Sequence, residues 1–175
     1  NDLDIIIEGE TTKFIQELQK NLGPDRIKII RNNTTYKTSE IMINEIKIDI
    51  ASAREETYPI PGENPKVKLS TIENDLIRRD FNINAMAIEL KKNKLIDLFS
   101  GYYAIKNRRI DFLHELSIRE DPTRIIRAAR YSAKLGFNLS NKALNQMKNT
   151  IKSWPWDWKI GDKADIAPSG LSIRL

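Results

Sequence analysis

The chain has 175 residues, of which 40% are hydrophobic and 30% are charged, so its composition is that of a folded protein. It contains no cysteine and one histidine, which excludes Cys/His zinc sites, disulfide scaffolds and cysteine nucleophiles. Any metal must therefore be held by oxygen ligands, which favours magnesium, calcium or manganese. The net charge of +5 slightly favours a polyanionic partner such as a nucleic acid or a nucleotide.

The sequence shows neither a membrane segment nor a leader peptide. No apolar run approaches the length of about 18 residues that a membrane helix needs. The opening residues Asn-Asp-Leu-Asp lack the basic and apolar regions of a signal peptide. We therefore expect a cytoplasmic protein without a membrane partner, and the absence of cysteine fits that compartment.

The first part of the chain predicts a buried strand followed by a helix. Residues 3–7 are apolar and β-branched, which is typical of a buried strand. Thr11 or Thr12 is a suitable N-cap for a helix, and apolar residues recur at helical spacing until Gly23-Pro24 ends the pattern.

Isoleucines predict the remaining strands of a sheet. They indicate a strand near residues 27–30 and a hairpin over residues 41–50 that turns at Asn44-Glu45. In the last strand the isoleucines alternate with other residues and share one face. Asp49 therefore lies on the opposite face of a central strand.

The middle of the chain predicts a long loop, a short helix and a second hairpin. Residues 54–70 contain three prolines and read as a loop that is too long to be a simple connection. Ser70 or Thr71 can cap a short helix that extends to Arg79. Apolar runs within residues 85–98 indicate the hairpin.

The last third of the chain has helical character. Asp121 can cap a helix with Pro122 at its first position, and the periodic pattern continues to Leu135. A second helix is predicted at residues 141–151. All three tryptophans follow, at positions 154, 156 and 158, and they need a surface to pack against. We therefore expect an α+β protein, with a mixed α/β part at 1–117 and an incomplete helical part at 118–175 that belongs to a longer protein.

Three carboxylates are candidate metal ligands. Asp2 and Asp4 are two residues apart at the start of a strand, so their side chains project from the same face, where a divalent cation relieves their repulsion. Asp49 supplies a charge from a second strand and completes a possible two-metal site. The alternatives are a solvated terminus for the first two, and for Asp49 an ion pair with Lys47 or Arg54.

Arg78, Arg79 and Asp80 form a dense charged segment after the short helix. The two guanidinium groups can grip triphosphate oxygens, and Asp80 can accept a ribose hydroxyl or hold an arginine in place. The alternative is a surface ion-pair cluster of Asp75 with the two arginines.

Arginines recur at every third position of the predicted helix, as Arg124, Arg127 and Arg130. Asp121 and Arg124 are i,i+3 neighbours that can face one ligand together. A carboxylate that accepts from an exocyclic amine and an arginine that donates to the adjacent ring atom match cytosine or adenine, whereas uracil and guanine have the opposite polarity. The alternative is a helix cap at Asp121 and a pairing of Arg124 with Glu120 or Asp121.

Five motifs occur in one order: Asp-Leu-Asp-Ile-Ile-Ile-Glu-Gly, Ile-Asp-Ile-Ala-Ser-Ala-Arg-Glu-Glu-Thr-Tyr, Arg-Arg-Asp-Phe-Asn-Ile-Asn-Ala-Met-Ala, Leu-Ile-Asp-Leu-Phe-Ser-Gly and Arg-Glu-Asp-Pro-Thr-Arg-Ile-Ile-Arg-Ala-Ala-Arg. The match that they carry spans residues 2–137. The series closely resembles the class II (bacterial-type) tRNA nucleotidyltransferase/poly(A) polymerase family of the polymerase β superfamily. All five motifs in this order form a highly specific match.

The resemblance implies a polymerase β-like nucleotidyltransferase head with a mixed sheet at 1–117, and the beginning of an all-helical neck at 118–175. Full-length members continue into body and tail domains that hold tRNA. In the head, the resemblance implies that Asp2 and Asp4 bind catalytic Mg²⁺, with Asp49 as the third carboxylate.

The resemblance also assigns the basic motifs to the nucleotide. Arg78, Arg79 and Asp80 match the segment that contacts its sugar and phosphates. Asp121 and Arg124 match the pair that reads the base of CTP or ATP. The supporting arginines of the family correspond to Arg127 and Arg130.

The activity implied is template-independent addition of C and/or A from CTP or ATP to the 3′ end of tRNA, by two-metal phosphoryl transfer with release of pyrophosphate. The product remains open among CCA, CC, A alone and a poly(A) tail on other RNAs, as does a non-catalytic binding module of the same fold. Two departures stand out. The chain begins too late to show the Gly-Gly-x-Val-Arg-Asp segment of the family, and Asn82 replaces the threonine of the family's Arg-Arg-Asp-Phe-Thr pattern.

Overall fold

The computed structural model describes residues 3–153, so Asp2 and the tryptophans Trp154, Trp156 and Trp158 lie outside the described residues. These residues form two compact units, one of 3–56 and 67–75 and the other of 57–66 and 76–153. The division differs from the boundary near residue 117 that was expected between a head and a neck, and that boundary stays a prediction.

The first unit contains a four-stranded mixed sheet. Its main elements are β1 (Leu3–Ile7), α1 (Thr11–Leu22), a 3-10 turn (Pro24–Arg26), β2 (Ile27–Asn33), β3 (Thr38–Ile43) and β4 (Ile46–Ser52). The strand order is β1-β4-β3-β2, with β1 parallel to β4 and the other pairs antiparallel. The predicted strands and hairpin are confirmed, and β4, which carries Asp49, is an interior strand.

One face of this sheet packs against α1 and forms the core of the unit. Ile15 of α1 is buried against Ile27, Ile41 and Ile50 of the sheet, each no more than 4% exposed. Because strand side chains alternate between faces, Asp49 lies on the opposite, open face. The predicted isoleucine face is confirmed.

The start of α1 differs from the prediction. Thr11 is the first helical residue and Glu10 takes the N-cap position without a side-chain hydrogen bond, so the predicted threonine cap was wrong. Ser52 Oγ accepts a hydrogen bond of 3.2 Å from the Thr11 amide instead. A hydroxyl that is 41 residues away in the sequence thus satisfies the helix end, which no local pattern indicates.

The segment predicted as a loop at 54–70 contains two short strands. Strands β5 (Arg54–Thr57) and β6 (Lys66–Leu69) form a two-stranded ribbon, so the loop proper is shorter than predicted. The helix α2 (Ile72–Ile77) then ends two residues before the predicted Arg79. Strands of four residues are too short for their alternation to stand out in sequence.

The second unit contains a hairpin and several helices. After a 3-10 turn (Asn82–Asn84) its elements are β7 (Met86–Glu89), β8 (Lys94–Asp97), α3 (Gly101–Lys106), β9 (Arg109–Ile110), α4 (Ser117–Glu120), α5 (Thr123–Leu135), β10 (Asn138–Leu139) and α6 (Asn141–Lys152). The predicted hairpin, α5 and α6 are confirmed. The sequence did not indicate α3 and α4, which have six and four residues.

The core of the second unit joins residues from both sides of position 117. Phe81, Phe112 and Ile118 are buried in one cluster with Ala128 of α5. The Phe81 ring lies 5.3 Å from that of Phe112 and 5.7 Å from that of Tyr131.

Within residues 3–153, none of the helices combines the length and the apolar character needed to span a bilayer.

Gly101 begins α3 at a point where no side chain fits. A Cβ atom there would lie 2.4 Å from the Asn82 carbonyl oxygen and 2.9 Å from Met86 Cγ. We expect Gly101→Ala to lower the free energy of unfolding by about 2–3 kcal/mol, because backbone and a packed side chain must shift. Urea denaturation measures the loss, and the exposed Ala133→Ser of α5 is the control. Equal stability of the two variants would contradict the close packing.

Candidate functional site

The register of the sheet in the first unit places two of the predicted carboxylates side by side. Asp4 on β1 is paired with Asp49 on the parallel strand β4. Paired residues on neighbouring strands point to the same face and are about 4.8 Å apart across the sheet. Both aspartates are exposed. Two residues that are 45 positions apart in sequence therefore present their carboxylates together on the open face.

A third carboxylate that the sequence analysis did not consider lies in the same row. Glu40 on β3 is paired with Asp49, and Arg31 on β2 is paired with Glu40. Glu40 Oε1 is 2.6 Å from the Lys47 ammonium nitrogen, so this carboxylate has a cationic partner within the sheet. Glu40 precedes the buried Ile41 in β3, so the sequence indicates that Glu40 faces away from the core. Only the strand register shows that Glu40 is a neighbour of Asp49.

The acidic pair fits a divalent cation in its chemistry. Its donors are carboxylate oxygens on one face, which are the ligands that Mg²⁺ prefers, and a cation between them offsets their repulsion. Among residues 3–153 there is no cluster of three or more possible metal ligands. Asp2, the other predicted ligand, lies outside that range. The assignment of Mg²⁺ to Asp2, Asp4 and Asp49 stays a prediction.

Arg54, one of the alternative partners considered for Asp49, is anchored elsewhere. Its guanidinium donates to Glu56 Oε1 at 2.8 Å and 3.0 Å, and it also donates to the Tyr36 carbonyl oxygen. The group lies 5.4 Å from the centre of the Tyr36 ring. Arg54 therefore fixes the start of β5 against the loop that precedes β3.

In the second unit, Asp80 holds Arg127 in place. Asp80 Oδ2 accepts a 2.7 Å hydrogen bond from Arg127 Nε, and Arg127 Nη2 lies 2.5 Å away. The other carboxylate oxygen accepts from the Phe81 amide at 2.9 Å and from Asn84 Nδ2 at 3.1 Å. Asp80 is 8% exposed and is fully hydrogen-bonded within the protein. Of the two roles considered for Asp80, the structure shows the one that positions an arginine.

The electrostatics of this pair keep Arg127 charged. Partial burial by itself would lower the pKa of Arg127, but the charge of Asp80 and its hydrogen bond outweigh this and raise the pKa overall. Nearly half of the Arg127 side chain is exposed, and its guanidinium carbon lies 5.6 Å from the centre of the Tyr131 ring. The group is therefore a fixed cation that is open to a ligand.

The neighbouring Arg79 side chain donates to the backbone of the same motif, and the backbone of Arg78 accepts from Arg124. Arg79 Nη1 donates to the Asn84 carbonyl oxygen at 2.9 Å. The carbonyl oxygen of Arg78 accepts a 2.7 Å hydrogen bond from Arg124 Nη2. Both side chains are half-buried. Their contact with nucleotide phosphates stays a prediction.

Asp121 hydrogen-bonds the first turn of α5, but Pro122 takes the N-cap position, so the predicted cap is displaced by one residue. Its Oδ1 accepts hydrogen bonds from the Thr123 amide at 3.1 Å and from Thr123 Oγ1 at 2.6 Å. Such a carboxylate satisfies an unpaired amide of the first turn and interacts favourably with the helix dipole. The carboxylate thus supports the start of α5 from the residue before the N-cap position, and the reading of a base by the same carboxylate stays a prediction.

Arg124 is buried near the start of α5. It is 4% exposed, and its Nη1 donates to Ser117 Oγ at 2.5 Å. Together with the bond from Nη2 to the carbonyl of Arg78, this contact holds the guanidinium plane in one orientation. The orientation of Arg124 is therefore set by two residues from different parts of the chain, Ser117 of α4 and Arg78 after α2.

His114 is a neighbour of Arg124 that the sequence analysis did not single out as functional. Burial and the positive charge of Arg124 lower the pKa of His114 below its ordinary value. Its Nε2 is 3.4 Å from Glu120 Oε2. Because the pKa of the imidazole is lowered, His114 is neutral at pH 7 and this contact is not an ion pair there.

The predicted site residues thus fall into two groups, one in each unit. Asp4 and Asp49 lie in the first unit. The second unit contains the seven residues predicted to bind the nucleotide: Arg78, Arg79, Asp80, Asp121, Arg124, Arg127 and Arg130. Arg130 is exposed on α5, one turn beyond Arg127.

Comparison with known protein families finds a match to the part of the chain that contains the sheet with Asp4 and Asp49. Residues 1–111 match the family described as the poly A polymerase head domain. The chain belongs to this family. This agrees with the resemblance drawn from the five motifs, and with the mixed sheet that carries Asp4 and Asp49. Enzymes of the nucleotidyltransferase class in this family generally use divalent metals.

Relatives of this head-domain chain are named for nucleotide addition to tRNA. It is 38% identical over 153 residues to the A-adding tRNA nucleotidyltransferase of Aquifex aeolicus, covering 86% of this chain and 18% of that protein. It is 30% identical over 153 residues to the CC-adding tRNA nucleotidyltransferase of Deinococcus radiodurans, covering 86% of this chain and 40% of that protein. The chain therefore spans well under half the length of either relative.

A solved structure is similar in fold as well as in sequence. A tRNA nucleotidyltransferase complexed with a primer tRNA and an incoming ATP analog superposes with a TM-score of 0.70 at 34% identity. The match covers 86% of this chain and 41% of that chain. The polymerase β-like α+β fold expected from the sequence is confirmed.

Proposed function

We propose that this chain is the catalytic part of an RNA nucleotidyltransferase that adds C and/or A from CTP or ATP to the 3′ end of tRNA. The observation that carries the proposal is the in-register pair of Asp4 and Asp49 on the open face of the sheet. The names of the A-adding and CC-adding relatives support the substrate class.

The reaction needs no protein nucleophile. The 3′ oxygen of the RNA primer bonds to the α-phosphorus of the nucleotide, the bond to pyrophosphate breaks, and the hydroxyl proton is released. Asp2, Asp4 and Asp49 are the residues that would hold Mg²⁺. When bound, Mg²⁺ lowers the pKa of the attacking hydroxyl and neutralises charge on the departing pyrophosphate.

The second unit supplies the groups that recognise the nucleotide. Arg78 and Arg79 are proposed to bind phosphate oxygens, with Arg127, which Asp80 fixes, as a third cation. Asp121 and Arg124 are proposed to read the Watson–Crick edge of cytosine or adenine. The contacts of Arg124 with Ser117 and the carbonyl of Arg78 support this role, because a donor that is already oriented loses little entropy on binding.

The second candidate is a poly(A) polymerase that acts on other RNAs, which the description of the matching family favours. The two activities share the chemistry and differ in the primer and in the length of the product. A non-catalytic nucleotide-binding module of the same fold is the third possibility. A module that only binds nucleotides would not need the paired carboxylates of Asp4 and Asp49.

The test is magnesium-dependent incorporation of labelled CTP and ATP, separately and together, by the full-length protein. The acceptors are tRNA that ends at the discriminator base, tRNA that ends in CC, and an unrelated RNA. We expect addition restricted to tRNA. Addition of CCA, of CC only or of A only would then identify the product. Long A tracts on any RNA would establish the poly(A) polymerase instead. No incorporation under any condition would leave the binding module.

A further inference from the structure

Two adjoining clefts open on the second unit, beside α3, β9 and the start of α6. They hold about 470 Å³ and 340 Å³. Both are lined by Tyr103, Asn107 and Arg109, so they form one continuous depression. Among the described residues that line it, none belongs to the set proposed to bind the incoming nucleotide.

The depression is positively charged. Arg108, Arg109 and Lys142 line it, and all three are exposed. Asp111 is the one acidic residue among its described lining residues, and it accepts a hydrogen bond from Ser140 Oγ. The start of α6 adds the partial positive charge of a helix N-terminus. Phosphate groups are the natural counter-charge for this arrangement.

An aromatic ring lies where the two clefts meet. Tyr103 is 68% exposed, although its neighbour Ala104 is buried in the core. In the larger cleft the partly exposed Phe99 and Leu113 add apolar surface. An exposed aromatic side chain with cations on either side is the arrangement on which bases of single-stranded nucleic acids stack while their phosphates are neutralised.

We propose that the surface formed by Tyr103, Arg108, Arg109 and Lys142, called here the α3–α6 surface, binds single-stranded RNA. A base stacks on the Tyr103 ring, and Arg109 and Lys142 contact phosphates in the larger cleft while Arg108 contacts the next phosphate in the smaller one. The inference deepens the proposed function and rests on it for the identity of the polymer as RNA. The α3–α6 surface is then a second contact with the RNA chain, in addition to the site where its 3′ end reacts.

The test is the affinity of the full-length protein for a labelled 12-nucleotide oligouridylate, measured by fluorescence anisotropy at several salt concentrations. Each neutralised phosphate contributes about 0.7 to the slope of log K against log salt for a single strand. We expect R109A/K142A to reduce that slope by about 1.4. Tyr103→Ala should weaken binding about tenfold with the slope unchanged, and Tyr103→Phe should restore it.

The matched control is K134A/K148A, which removes two exposed lysines from α5 and α6 away from both clefts. Thermal unfolding verifies that all variants are folded. An unchanged affinity and slope in R109A/K142A and Tyr103→Ala, or an equal loss in the control, would overturn the α3–α6 surface as an RNA site.

The proposed function and this surface fail in different ways. Asp4→Asn should abolish nucleotide addition and leave the affinity for oligouridylate unchanged. The α3–α6 variants should raise the KM for the RNA primer and leave the KM for ATP and CTP unchanged. If no variant or wild-type protein adds nucleotides but R109A/K142A still loses RNA affinity, the catalytic proposal falls and the RNA-binding surface stands.

Discussion

Asp4→Asn is expected to lower kcat for nucleotide addition by about three orders of magnitude or more. The substitution keeps the size of the side chain and removes one of the two charges that the sheet register brings together. Metal stabilisation of a phosphoryl-transfer transition state is worth several kcal/mol, and each 1.4 kcal/mol corresponds to about a factor of ten in rate. Single-turnover incorporation of labelled ATP or CTP at saturating Mg²⁺ measures the effect.

Two variants in the same unit control for charge and position. Asp25→Asn removes an exposed carboxylate after α1 and should leave kcat unchanged. Glu40→Gln removes the third carboxylate of the row, which already has Lys47 as its partner, so we expect less than about a threefold loss. Because Asp4 is exposed, its variant should unfold at the wild-type temperature. Normal turnover by Asp4→Asn would exclude this carboxylate from catalysis.

Asp80→Asn is expected to lower the free energy of unfolding by about 2–3 kcal/mol. Both oxygens of the carboxylate accept hydrogen bonds, one from Arg127 and the other from Phe81 and Asn84. An amide of the same size must turn its NH₂ group toward one of these donors, which leaves a donor facing a donor in a site that is 8% exposed. Urea denaturation of the variant and the wild type measures the loss.

A double-mutant cycle separates the ion pair from the rest of the network. With Arg127→Met as the second change, we expect a coupling energy of about 1–2 kcal/mol, reduced by the partial exposure of Arg127. Lys134→Ala, which lies on the exposed face of α5, should change stability by less than about 0.5 kcal/mol. A coupling energy near zero would mean that Asp80 does not position Arg127.

Local patterns were sufficient where an element is long or strongly patterned. The alternating isoleucines around Asp49 predicted both the strand and the face of each side chain, since the two-residue period is a property of the strand itself. Asp121 and Pro122 predicted the start of α5 to within one residue, because both residues act within one turn. The four-residue strands at 54–57 and 66–69 were not predicted, because a run of that length does not distinguish a strand from a loop.

Contacts between distant residues were beyond any local pattern. Ser52 replaces the threonine cap predicted for α1, and Ser117 with the carbonyl of Arg78 sets the orientation of Arg124. Glu40 becomes a neighbour of Asp49 only through the antiparallel register of β3 and β4. Each case depends on how separate elements pack, which the sequence of a single element does not record.

The sequence by itself determined the family of this protein, since five motifs occur in the order of a nucleotidyltransferase family, and its lack of cysteine excludes Cys/His zinc sites. It also predicted which residues carry the chemistry. Only the tertiary structure decided how those residues meet. Strand pairing brings Asp4 to Asp49 across 45 residues, and packing of α5 brings Arg127 to Asp80 across 47. The physical reason is that residue type sets what a side chain can bind, whereas backbone pairing and core packing set which side chains are close enough to bind it together.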